Sequence, residues 1–171
     1  MRPELKYGLI TGAGVSLLLG TGYVLGSHGI RLALGQYGGY FSGLVILVAL
    51  VPLLRQKQAG APGGRLGFVQ GIYSGLLASL VAALLICSLL FAYNRFVNPY
   101  WLDDALDWRV ARMRAEGITE TEIRREITFY RQAVSPPGLV TSTLLGMPLM
   151  GGFFSLALII YLRPRSAAPP N

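Results

Sequence analysis

Apolar positions fall into four long blocks along the 171-residue chain, 7–26, 37–54, 68–93 and 139–162. None of them contains Asp, Glu, Lys, Arg or His. A hydrocarbon core about 30 Å thick takes about 20 apolar residues at 1.5 Å each. Three blocks reach that length and the second approaches it. The pattern predicts an all-α fold, an integral membrane four-helix bundle forming one domain over 1–165, with a disordered tail over 166–171. No block alternates in the manner of a strand.

Between the third and fourth blocks lies the only sizeable hydrophilic stretch, 94–138. Asn98-Pro99 breaks the chain, because proline disfavours the α region for the residue before it. Two short amphipathic helices are expected next. The first covers about 100–115, with Leu102, Leu106, Val110 and Met113 on one stripe and Gly117 as its stop. The stripe implies docking on the membrane surface or the bundle mouth. Its aspartates are then expected to face solvent or to pair with Arg109 and Arg112. The second helix opens on Thr119 and Glu122, a capping box, and ends at Ser135-Pro136-Pro137-Gly138. Pro148 should kink the fourth span. The second loop, 56–64, reads as a polar turn without structure of its own.

Composition agrees with burial in lipid. Apolar residues make up 53% and charged residues 13%, against about 25% charged in soluble domains. The placement of charge says more than the net value of +7. Of eight acids, all but Glu4 lie between Asp103 and Glu126, where arginines balance them. A near-neutral insert argues against nucleic-acid binding. Surplus positive charge sits at Arg2 and Lys6, at Arg55, Lys57 and Arg65, and at Arg163 and Arg165. Four spans place these three groups on one side, which the positive-inside rule makes cytoplasmic. Both termini are thus expected in the cytoplasm, with the first helix uncleaved because Gly26-Ser27 is a poor match to a signal-peptidase site.

Small residues recur at every fourth position. The rows are Gly8, Gly12, Ser16, Gly20 in the first span, Gly35, Gly39, Gly43 in the second, and Gly67, Gly71, Gly75, Ser79, Ala83, Cys87 in the third. Helices in lipid gain nothing by burying apolar surface against each other, so they need close backbone approach. These rows are helix-packing faces, either inside one bundle or toward a homodimer or partner subunit.

Residues suited to chemistry are sparse. Asp103-Asp104-Ala105-Leu106-Asp107 has the spacing of a magnesium-binding acidic motif, but no second acidic motif accompanies it. First-turn acids on a helix explain it more simply. His28 is the only histidine, and a catalytic zinc site takes three protein ligands. Cys87, the lone cysteine, sits inside the third span. No catalytic, cofactor-binding or metal site is predicted, and the sequence points away from an enzyme. The expected partners are the lipid bilayer and a second copy or larger membrane complex. The alternative is a small transporter or channel subunit that works as an oligomer, with serines such as Ser16, Ser74, Ser79 and Ser155 along its pathway.

Several stretches carry a likeness in the same order. Lys6-Tyr7-Gly8-Leu9-Ile10 enters the first span, and Gly67-Phe68-Val69-Gln70-Gly71 opens the third. Asn94 to Pro99 leaves it, and Gly117-Ile118-Thr119-Glu120-Thr121-Glu122-Ile123 precedes the second insert helix. This order resembles the bacterial membrane family catalogued as domain of unknown function 4199, typical of Bacteroidetes. The resemblance implies a four-helix inner-membrane protein with a helical insert before the last span, and implies no activity.

Overall fold

The computed structural model describes residues 1–24, 38–62 and 65–162. Every regular element among them is helical. In chain order they are α1 (Pro3–Val24), α2 (Gly38–Ala59), α3 (Phe68–Ala92), a π-turn (Tyr93–Val97), α4 (Trp101–Ala115), α5 (Glu120–Val134) and α6 (Pro136–Leu162). Stretches 41–59, 68–97 and 136–162 are long and apolar enough to cross a membrane. Helix α1 has 22 residues, about 33 Å at 1.5 Å per residue. The first loop, with His28 and Arg31, lies outside the described residues, as do Gly35, Arg163, Arg165 and the tail from 166.

Helix α3 is the centre of the bundle. It lies along α6 on one side and α1 on the other, with smaller contacts to α2. The core joins Val15 of α1, Ile46, Leu50 and Leu53 of α2, Ala78, Ala82, Ala83 and Ile86 of α3, and Met147 of α6. A second cluster of Leu54, Leu66 and Ile159 brings together the end of α2, the approach to α3 and the end of α6. Glu4 of α1 pairs with Lys57 of α2 at the same end, so the described ends of the chain share one end of the bundle.

Buried and exposed positions invert the usual contrast. Gly71, Ser74, Gly75, Ala78, Ser79, Ala82 and Ala83 are the buried face of α3. Leu9, Leu17, Phe41, Val48, Val69, Leu84, Phe91, Leu149, Phe153 and Ile160 point outward. In water such a surface would be costly at about 25 cal/mol per Å². In lipid it is the ordinary solvated surface, and small buried residues are what let backbones meet.

Several boundaries differ from the sequence reading. Helix α1 starts at Pro3, not residue 7, so Glu4 and Lys6 are helical. Proline at the first helical position costs no backbone bond. Helix α2 passes Pro52 and runs to Ala59, converting 56–59 from loop to helix. Gln56, Lys57 and Ala59 are good helix formers, and Lys57 in the last turn suits the macrodipole. The α helix of the third span ends at Ala92 and continues as the π-turn, closed by Asn98 N–H donating to the Tyr93 carbonyl at 3.0 Å. Pro136 starts α6 instead of separating it from α5, and Pro148 lies inside α6.

The insert folds into a hairpin of α4 and α5. Gly117, at φ +76°, makes the reversal, a left-handed conformation that glycine adopts without strain. The Thr119–Glu122 capping box forms. Leu106 and Met113 of α4 and Ile123 of α5 are the buried side chains of this unit. The α4 stripe thus turns toward α5. Its three aspartates face solvent, the first of the two expected arrangements, and Arg109 and Arg112 go elsewhere: Arg109 pairs with Glu126, Arg112 with Glu116, Arg114 with Glu120, and Arg131 with Asp103.

Candidate functional site

Three features of the bundle could carry function, and the first is a polar cluster that the sequence reading did not single out. Glu4 sits in the first turn of α1 and is 95% buried, at 5% exposure. Its carboxylate forms an ion pair with Lys57 of the last turn of α2. Ser74 of α3, also buried, donates to Glu4 Oε1 at 3.3 Å and lies 2.9 Å from the Gln70 carbonyl oxygen. Three helices are tied at one point. An acid at a helix start and a base at a helix end both complement their macrodipoles, and the ion pair offsets the cost of burying each charge. The extension of α2 to Ala59 is what delivers Lys57. One signal in the sequence pointed here: Glu4 is the only acid outside 103–126, and four spans would place it on the same side as Lys57.

The second feature is the pair of seams along α3. A Cβ on Gly75 would overlap Ser155 Oγ and lie 2.6 Å from the Gly151 carbonyl oxygen. One on Gly151 would lie 2.6 Å from Ser79 Cβ, and one on Gly71 would lie 2.9 Å from Ile159 Cγ1. Thus Gly71, Gly75 and Ser79 face α6 in antiparallel register. Ser155 is fully buried there, its hydroxyl without a hydrogen-bond partner. On the other side, a Cβ on Gly8 would lie 2.6 Å from the Ala78 carbonyl oxygen, and one on Gly12 would lie 3.0 Å from Leu85 Cδ2. Helices α1 and α3 therefore run parallel. Ala83 is buried in the core. Gly20 and Gly67 have nothing within 4 Å of such a Cβ. In the second span, a Cβ on Gly43 would lie 3.3 Å from Met150 Sδ, while the side-chain surroundings of position 39 lie outside the described residues.

The third feature is a cavity of about 360 Å³ where α1 and α3 part, lined by Ser16 and Gly20 of α1, Ile86, Leu89 and Leu90 of α3, and the π-turn. Ser16 Oγ is buried without a hydrogen-bond partner. π-turns of this kind recur at functional sites. Nothing in the sequence pattern marked this one.

Among the described residues, no group of three or more His, Cys, Asp or Glu is placed to hold a metal ion. Asp103 pairs with Arg131 at 3.4 Å, and Asp104 and Asp107 are exposed. In the hairpin, hydrogen bonding from the Arg114 guanidinium holds the Glu120 carboxyl below its ordinary value.

No curated protein and no solved structure matches this chain. The family model described as Protein of unknown function (DUF4199) matches residues 6–163, and the chain belongs to that family.

Proposed function

We propose that this member of the family is a four-span bacterial inner-membrane protein that acts without catalysis, through helix packing with a second copy or a partner membrane complex. The observation that supports this reading most is the small buried face of α3 together with the many large apolar side chains that point outward from the bundle. Helix α1 supplies the fourth span. The shared end of α1, α2 and α6 carries Arg2, Lys6, Arg55 and Lys57, which supports cytoplasmic termini under the positive-inside rule.

Within one chain, α3 spends its small residues on α1 and α6. The surface left for a partner is the outward apolar face, including Leu145, Leu149 and Phe153 of α6, with Gly146 open between them. The test is light scattering in mild detergent, joined to cysteine crosslinking along that face in membranes. A crosslinked dimer or larger complex is expected. A chain that is monomeric in both measurements would overturn the packing role. Solute flux through reconstituted vesicles would replace it with the transporter or channel subunit.

A further inference from the structure

The seam between α1 and α3 does not close along its length. A Cβ added at Gly8 meets α3 at 2.6 Å, one at Gly12 at 3.0 Å, and one at Gly20 meets nothing within 4 Å. The row of small residues continues to Ser16 and Gly20, where side chains would permit contact, yet the helices diverge. The widening coincides with the change of α3 into the π-turn, whose Phe96 and Val97 help line the cavity.

The wall decides what fits. It is almost entirely hydrocarbon, and its volume of about 360 Å³ falls in the range of ligand pockets, about 300–1,000 Å³. Water needs two to four polar partners in such a place. The wall's clear offer is Ser16 Oγ, which no protein group satisfies. A flexible alkyl chain would gain dispersion contacts on all sides. Access points the same way. Leu89, Phe96 and Val97 at the rim are exposed, Phe96 at 79%. In a chain that spans the bilayer, the phase reaching that rim is lipid.

We infer that the wedge between the upper halves of α1 and α3 binds one acyl chain of a bilayer phospholipid. This inference rests on the membrane-spanning reading proposed above. It does not depend on oligomerisation.

The test uses the full chain in vesicles of phosphatidylethanolamine and phosphatidylglycerol, with a trace of phospholipid bearing a photoreactive diazirine on its acyl chain. Labelling of the peptide over 86–97 is compared with labelling of the outward face of α2 around Leu44 and Val48. Wild type should favour the 86–97 peptide. Gly20→Phe, which puts an aromatic ring into the wedge, should lower that preference about tenfold, equivalent to about 1.4 kcal/mol. Gly67→Phe, at an open glycine just before α3, should leave it unchanged. Ser16→Leu fills the wedge from the next turn and serves if Gly20→Phe does not fold. Equal preference in wild type and a folded filled variant would overturn the inference, as would uniform labelling of wild type. Reporter fusions read on the same samples separate this failure from that of the proposed topology.

Discussion

Helix α3 makes two seams from the same kind of residue, and they end differently. Against α6 the small positions are matched by small or yielding partners, with Gly75 meeting Gly151 and Ser155, and Ser79 meeting Gly151. That seam is closed across the middle of the bundle. Against α1 the match holds at Gly8 and Gly12 and fails by Gly20. A small residue permits close approach but does not cause it. The opposing surface must also be shallow, and the ends of both helices must agree on the path. Glu4 and Lys57 pin α1 at the closed end, while the π-turn redirects the chain at the open one.

The closed seam is where a single substitution should do most damage. Gly75→Leu would force a branched side chain into Ser155 and the Gly151 backbone. A cost above about 3 kcal/mol is expected, at the upper end for overpacking because backbone must move. Thermal unfolding in detergent measures it, with the lipid-facing Leu84→Ala as reference. If Leu84→Ala costs more, close approach along this seam is not what holds α3 to α6.

Next in size is the pin. Glu4→Ala strands Lys57 beside a buried hydroxyl. Breaking a fully buried pair costs about 3–5 kcal/mol, and partial exposure of Lys57 lowers the expectation to about 1–3 kcal/mol. Combining Glu4→Leu with Lys57→Met should recover most of the loss, since an apolar pair of similar volume is often neutral. Failure of the double variant to recover would mean that the hydrogen bond from Ser74, more than charge pairing, holds the helix ends.

At the open end the sign should reverse. Gly20→Ala adds a methyl group to open space inside a helix and should stabilise by about 0.5–1 kcal/mol through helix propensity. The same detergent melt reads it, and destabilisation would show that the seam closes in the membrane. The smallest effect is a control outside both seams. Glu120 has its carboxyl held down by Arg114. Its contribution to the hairpin is therefore present above the ordinary carboxylate range and fades as pH falls through the lowered value. Tryptophan fluorescence from Trp101 and Trp108 should report local loosening of the hairpin only in acid, with the bundle melt unchanged. Loosening near neutral pH would contradict it.

The helical blocks were legible because apolar length is a direct consequence of bilayer thickness. The Thr119 capping box and the Gly117 reversal were legible because each depends on neighbours within a few residues. Misreadings came where a contact distant in sequence decides the outcome or where one local signal has two meanings. Polar residues 56–59 looked like loop, yet they are helical and present Lys57 to Glu4. Ser135-Pro136-Pro137-Gly138 reads as a stop signal, and proline is equally a start signal. Arg109 and Arg112 lie near the aspartates in sequence, but hairpin folding gives Arg109 to Glu126 while Arg112 takes Glu116 one turn on. The small rows could be seen, but not which neighbour each one meets. That depends on tilt, and tilt is a property of the assembled bundle.

The join between α5 and α6 has a mechanical meaning. Helix α5 ends at Val134 and α6 begins at Pro136, so only Ser135 separates them. Its hydroxyl lies 2.8 Å from the Gln132 carbonyl and accepts from Gly138 N–H at 3.2 Å, bridging both helices. Such a joint transmits torque instead of absorbing it. A load on the hairpin, whether from a binding protein or from a moving headgroup layer, would act on α6 as on a lever arm. Its working end would be the tight junction of Gly151 and Ser155 with α3.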